Sequence, residues 1–162
     1  MLIALNDRDP RFHDLYSVEI ATGARTLIQE NPGFLGFVTD RHYGVHLASR
    51  NAPDGSQEVL RRDGSDWIPW LTLPAEDARG SGPDRVNAAG TDLFLYDSRG
   101  RDTAALVRVD LATGARTVLA AHDEADIGGV LYDIETEEPI AYAVTPARQR
   151  WHVLGALLRY AI

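Results

Sequence analysis

His42 and His46 stand four residues apart, the spacing that sets two metal ligands side by side on a helix. The residues around them read as a strand, where positions i and i+4 lie ~13 Å apart, too far to share a zinc ion held ~2 Å from each nitrogen. No metal site is expected there, and His13, His122 and His152 stand singly. Asp7, Asp9 and the run Asp123-Glu124-Ala125-Asp126 concentrate carboxylates. They lack the Asp-x-Asp-x-Asp-Gly loop with its closing Glu that surrounds calcium, so they read as solvated turn residues. Nucleophilic catalysis in the α/β-hydrolase setting needs Gly-x-Ser-x-Gly. None of Ser17, Ser49, Ser56, Ser65, Ser81 and Ser98 has glycine on both sides at that spacing, and Gly80-Ser81-Gly82 runs into Pro83-Asp84 without a P-loop lysine. The chain has no cysteine and no lysine, which removes thiolate chemistry and Schiff bases. The expectation is a chain with no catalytic residue, no metal and no cofactor of its own.

Charge narrows the partners. Sixteen arginines against twenty-four acidic residues leave a net charge of −8, so counterion release would oppose binding to DNA or RNA. The all-arginine basic set, beside abundant alanine, reads as codon bias in a GC-rich genome. No apolar run approaches the ~20 residues that span a bilayer. Met1-Leu2-Ile3-Ala4-Leu5 passes at once into Asn6-Asp7-Arg8-Asp9, too short a core for a signal peptide. A cytoplasmic location, without nucleic acid or membrane, is the expectation.

The elements that must carry any function are legible in a repeat. Leu15 to Ile28 (LYSVEIATGARTLI) matches Leu106 to Leu119 (LVRVDLATGARTVL), ninety-one residues later, with eight of fourteen positions identical. Each copy is an apolar strand, a tight turn at Thr22-Gly23 or Thr113-Gly114, and a second short strand: one β-hairpin. A degenerate copy, Val59 to Leu73, turns at Asp63-Gly64, so the turns are spaced by forty-one and fifty residues. A mean near forty-five is the period of a four-stranded propeller blade. Gly23, Gly64 and Gly114 are expected at positive φ, where a side chain is costly.

The predicted architecture is all-β: a β-propeller segment of about three to four four-stranded antiparallel blades in an incomplete ring. One whole blade would use Phe34 to Asp40, His42 to Ser49, Glu58 to Arg62 and Trp67 to Leu73. The next would use Val86 to Ala89, Leu93 to Asp97, Ala105 to Leu111 and Arg116 to Ala121, with Pro74 to Pro83 connecting the two. Partial blades flank them, so that the whole chain forms a single segment with blades near 1–33, 34–73, 84–121 and 127–158. Exposed blade edges predict a homo-oligomer or completion by another chain.

Several longer strings are more specific than generic repeats. Leu5-Asn6-Asp7-Arg8-Asp9-Pro10-Arg11-Phe12-His13-Asp14-Leu15-Tyr16, followed by Glu30-Asn31-Pro32-Gly33-Phe34, and then Asp97-Ser98-Arg99-Gly100-Arg101-Asp102 with Arg150-Trp151-His152-Val153-Leu154, resemble the N-terminal propeller of prolyl oligopeptidase family serine peptidases, especially acylaminoacyl-peptidase-like bacterial members. The resemblance implies a propeller that caps an α/β-hydrolase domain, excludes folded proteins and admits short peptides. That domain is absent from this chain, so no catalytic residue carries over. Arg8 is the candidate for holding a peptide terminus, since a guanidinium grips a carboxylate through two hydrogen bonds. The structural alternative is that Arg8 pairs with Asp7, Asp9 or a carbonyl to fix its loop. Two other functions compete: a free-standing propeller scaffold for a protein or small molecule, resembling the Tol-system propeller, and a glycoside or lactone hydrolase built on paired carboxylates.

Overall fold

The computed structural model describes residues 1–155. Among them there is no helix, and fourteen strands form four antiparallel sheets. The first sheet holds β1 (Leu2–Asp9), β2 (Phe12–Val18) and β3 (Arg25–Gln29), and the second β4 (Gly36–Thr39), β5 (Val45–Asn51), β6 (Gln57–Asp63) and β7 (Asp66–Leu73). The third holds β8 (Gly82–Val86), β9 (Asp92–Asp97), β10 (Ala105–Asp110) and β11 (Arg116–Ala120). The fourth holds β12 (Ile127–Tyr132), β13 (Pro139–Val144) and β14 (Arg150–Val153). Within every sheet the strand order follows the chain, as in a propeller blade. Two four-stranded and two three-stranded sheets are the number and size expected from the repeat.

The chain divides into two compact units, Met1–Thr72 and Leu73–Ile162. In the first, Phe34, Ala48 and Leu60 form a buried cluster against Phe37 and Trp67, with Phe34 edge-on to both aromatic neighbours at 5.7 and 5.4 Å. In the second, Phe94, Leu106 and Ala120 of the third sheet pack on Ile127 and Val144 of the fourth. Burial of both faces explains why β9 and β10 read as near-continuous apolar runs, Leu93-Phe94-Leu95 and Ala105-Leu106-Val107, whereas β3 and β11, at one edge of their sheets, leave Leu27 and Val118 about half exposed. Backbone and carboxylate bonds also join the third and fourth sheets. The Ile127 amide donates to the Ala104 carbonyl at 3.0 Å, and Asp126, read from sequence as a solvated turn residue, accepts the Ala104 amide at 2.7 Å.

The repeat extends to details that identity does not show. In both copies the register slips at the same position: Leu15 faces Gln29 but Tyr16 faces Leu27, and Leu106 faces Ala120 but Val107 faces Val118. Both turns close with the same pair of bonds, Gly23 N to Glu19 O and Gly114 N to Asp110 O at 2.8 Å, then Glu19 N to Ala24 O and Asp110 N to Ala115 O at 2.9 Å. The threonine before each glycine donates its hydroxyl back to Glu19 or Asp110 at 2.8 Å. A third loop of this design, unrecognised in the sequence, joins β12 to β13. There Asp133 accepts the amides of Glu135 and Thr136, Thr136 donates its hydroxyl to Asp133, and Glu137 takes the glycine position at φ 55°. The glutamate hides the motif, because a Thr-Gly search passes over Thr136-Glu137.

Several strand boundaries differ from expectation, β1 running on to Asp9 among them, and two have a clear local cause. The inner strand of the third sheet is Gly82–Val86 and not Val86 to Ala89, because Asn87 folds a turn: its side-chain oxygen accepts the Thr91 and Asp92 amides at 2.9 and 3.1 Å. Gly82 and Pro83 are tolerated because β8 is an edge strand, with Asp84 as the extra residue of a bulge between Pro83 and Arg85. The strand expected from His42 starts at Val45, since Asp40 accepts the His42 and Gly44 amides and turns the chain through Tyr43 at φ 69°. The end of the expected last blade, 156–158, lies outside the described residues.

Gly23, Gly64 and Gly114 have φ of 74°, 59° and 74°, and a Cβ built on any of them would touch nothing within 4 Å. Substitution is therefore resisted by the backbone and not by crowding. Gly23→Val and Gly114→Val should each lose about 1–2 kcal/mol, a fall of several degrees in thermal midpoint. A melting curve that superimposes on the unmutated chain would overturn this.

Candidate functional site

Arg8 lies on β1, within the irregular stretch between Leu5 and Asp9 where pairing to β2 lapses. The hairpin then turns at Pro10-Arg11, with Asp9 accepting both the Arg11 amide at 3.0 Å and its guanidinium at 2.9 Å. This lapse leaves the Arg8 side chain free of the sheet's alternation, and it reaches Asp14 on β2. The contact is bidentate: Nε to Oδ2 at 2.7 Å and Nη2 to Oδ1 at 2.8 Å. The Asp14 side chain is fully buried while that of Arg8 is 39% exposed, so the ion pair runs from the interior to the surface.

Asn31 completes the group. Its amide donates to Asp14 Oδ1 at 2.6 Å, and its carbonyl accepts from Arg8 Nη2 at 2.9 Å. The side chain of Asn31 donates to the His13 and Phe34 carbonyls and accepts the Gly33 and Phe34 amides at 2.9 and 2.6 Å. Three polar residues thus tie the first sheet to Phe34, which opens the apolar cluster of the second. The Arg8 guanidinium holds the Asp14 carboxyl below the usual carboxylate range despite burial, and Asp14 in turn raises Arg8 further above its ordinary value. Arg11 pulls Asp9 down to about 2.

Of the structural alternatives for Arg8, the carbonyl is realised at Asn31, whereas Asp7 and Asp9 are not its partners: Asp7 pairs with Arg25 at 3.0 Å and Asp9 with Arg11. Asp14 takes that place. Neither Asp14 nor Asn31 is singled out by sequence, and the available signal was a carboxylate inside the apolar alternation of β2. For ligand binding the geometry leaves little of the guanidinium. The Nε/Nη2 edge is committed, and Nη1 faces Glu30 at 3.6 Å, so an incoming carboxylate would meet Arg8 through Nη1 and displace Glu30.

The other candidates are dispersed. His46 Nε2 lies 2.7 Å from Asp40 Oδ2, an oriented carboxylate–imidazole pair, whereas His42 sits in the turn and contributes its backbone amide to Asp40. Serine hydroxyls bond Ser56 to Asp54, Ser65 to Asp66, Ser81 with Ser98, and Ser98 to Asp77, and the Ser81 hydroxyl also accepts the Ser98 amide. Among the described residues no three metal-ligating side chains gather. What these arrangements accomplish is fixation of turns.

Successive antiparallel sheets of neighbouring strands, cross-linked by buried polar groups, define a β-propeller segment. No family model matches the chain. It is 38% identical over 161 residues to dipeptidyl aminopeptidase BIII of Pseudoxanthomonas mexicana, covering 98% of this chain and 23% of that protein. It is 25% identical over 141 residues to dipeptidyl peptidase family member 6 of Caenorhabditis elegans, covering 81% of this chain and 19% of that one. In structure it is similar to TolB from Acinetobacter baumannii, with a TM-score of 0.55 over 94% of this chain and 37% of that chain, at 17% identity, a likeness of fold alone. In fold the chain is a β-propeller segment, and in sequence it is homologous to part of these dipeptidyl peptidases. It spans less than a quarter of the length of these curated relatives.

Replacing Asp14 by Ala strands the Asn31 amide in the interior, a loss of about 1–3 kcal/mol, with a further loss at Arg8. The sign of the pH effect follows from the lowered carboxyl: its contribution is complete above the unfolded-state pKa near 4 and disappears as pH falls through the depressed folded value. Thermal midpoints should hold from pH 7 to about pH 5 and fall below about pH 4. Asp14→Asn should be less stable at neutral pH with a flatter acid limb. An unchanged acid limb in that variant would show that other carboxyls dominate.

Proposed function

We propose that this chain is the non-catalytic, substrate-gating propeller portion of a serine peptidase that removes or cleaves short peptides, acting with an α/β-hydrolase domain elsewhere in the polypeptide. The observation that carries it is the similarity across 161 residues to a dipeptidyl aminopeptidase, which makes peptide cleavage the chemistry to expect of the parent protein. The chain's own residues support a passive part in it. His46, Ser56 and Ser98 are engaged in fixing turns, and the Arg8–Asp14 pair braces its sheet. Such a scaffold restricts which substrates approach, and supplies no nucleophile.

Arg8 fits this reading as a residue that braces the first sheet and offers one guanidinium nitrogen to a peptide carboxylate. The two contributions separate in kinetics. A binding role raises KM, whereas a bracing role lowers stability and leaves the KM of the folded fraction alone.

The test is turnover of chromogenic dipeptidyl substrates by residues 1–162 and by the complete gene product. Turnover by the complete product and none by 1–162 is the expected result. Turnover by 1–162 alone, or none by a folded complete product, would overturn the proposal. In the complete product Arg8→Ala should raise KM for short peptides several-fold, and a lowered midpoint with KM unchanged would assign Arg8 to bracing alone.

A further inference from the structure

The repeat makes β1 comparable, residue by residue, with a strand in the other unit. β2 and β3 correspond to β10 and β11, so β1, which pairs with β2, corresponds to β9, which pairs with β10. The registers align Leu2 with Phe94, Ile3 with Leu95 and Ala4 with Tyr96: Leu2 faces Ser17 as Phe94 faces Arg108, and Ile3 faces Tyr16 as Leu95 faces Val107. The one difference lies on the other side. β9 is also paired to β8, while β1 has no second neighbour among the described residues. Exposure follows: Phe94 and Leu95 are fully buried, whereas Leu2 and Ile3 are half-buried and Ala4 is exposed.

The direction of the free backbone groups is settled by the start of the strand. Met1 and Val18 exchange both backbone bonds, 2.9 and 2.7 Å, so Ile3 and Leu5 are the residues that bond across to β2. Leu2 and Ala4 therefore turn their N–H and C=O groups away from β2. Nothing within Leu2–Leu5 blunts this edge, since the stretch carries no proline and no charge.

We infer that the free edge of β1 is an acceptor for a fourth, inner strand, supplied in antiparallel register by the remainder of the longer polypeptide. The inference shares with the proposed function the premise that the chain belongs to such a polypeptide, as the coverage of 23% and 19% of its relatives supports, but does not depend on peptidase activity. The chain describes the occupant three times over. β4, β8 and β12 are the strands that fill this position in the other sheets, and each has glycine where it crosses the far half of its partner: Gly36 opposite Ser49, Gly82 opposite Tyr96, Gly129 opposite Ala143. Each also carries a register slip, as at Asp84 between Pro83 and Arg85. The incoming strand thus places glycine opposite Ala4 or Leu5, and covers Leu2 and Ile3 as β8 covers Phe94 and Leu95.

Residue-resolved amide exchange tests this in residues 1–162 and in the complete gene product. The Ile3 and Leu5 amides should be protected in both, while those of Leu2 and Ala4 exchange freely in 1–162 and slow by about a hundredfold or more in the complete product. Leu2 and Ala4 left unprotected in the complete product would overturn the inference. So would protection in 1–162 that grows with protein concentration, which would make a second copy the occupant. Ala4→Pro adds a measurement independent of activity, because proline at an outward-facing edge position spares the β1–β2 pairing and blocks a new strand. It should leave the midpoint of 1–162 within about 2 °C and lower that of the complete product by at least about 5 °C. Equal shifts in both proteins would refute the inference, and loss of dipeptidyl turnover with intact protection would refute only the peptidase reading.

Discussion

A carboxylate placed inside an apolar sheet cannot remain unpaired, and Asp14 is such a carboxylate. Leaving it charged and alone in the interior would cost several kcal/mol, more than most single contacts return. The chain resolves this with a guanidinium entering from solvent and a backbone amide arriving from seventeen residues downstream. Because Asn31 must sit within 2.6 Å of Asp14, the segment leaving β3 is fixed, and through its side chain so is the entry of Phe34. The apolar cluster of Phe34, Phe37 and Trp67 then packs on a backbone already set by polar contacts.

The second unit reaches the same end by different means. At the position corresponding to Asp14 stands Ala105, and the buried carboxylate is instead Asp97, one strand over, held by the bidentate guanidinium of Arg99 and by Arg116. Asn87 performs the bridging that Asn31 performs in the first unit, binding its own turn and Glu138 of the next sheet. The hairpin framework is repeated closely while the polar braces are not. Strand pairing, bulge and turn are local properties that a short string encodes, whereas a brace needs only some pair of complementary groups within reach.

This division bears on function. Charged pairs placed between strands and connections hold the strands in register at little cost in exposed apolar surface. Three polar groups so engaged are Asp40, which holds His46 and two amides, Ser98, which donates to Asp77, and Arg8, which holds Asp14 and Asn31. Glu137 and Tyr43, held at positive φ in the loops after β12 and β4, show that even strain is spent on turns.

The sequence by itself determined the all-β architecture and the repeated hairpins, since a hairpin is specified by alternation and a turn within some fourteen residues, and a repeated string specifies it twice. It also determined the absence of a nucleophile elbow, which is a matter of adjacent residues. Arg8 was legible as a noteworthy side chain, though read in a loop and not on β1, and its pairing with a carbonyl was among the alternatives; the identity of Asp14 and Asn31 was not legible, because they are joined by the bulge before Asp9 and the path of the chain after β3, neither of which has a periodic signature. The inner strand at Gly82 escaped for a related reason: glycine and proline argue against a strand until an edge position and a bulge excuse them. Tertiary structure alone decided which carboxylate each arginine holds and which strand edge stays open, because both depend on distances between segments that sequence spacing does not measure.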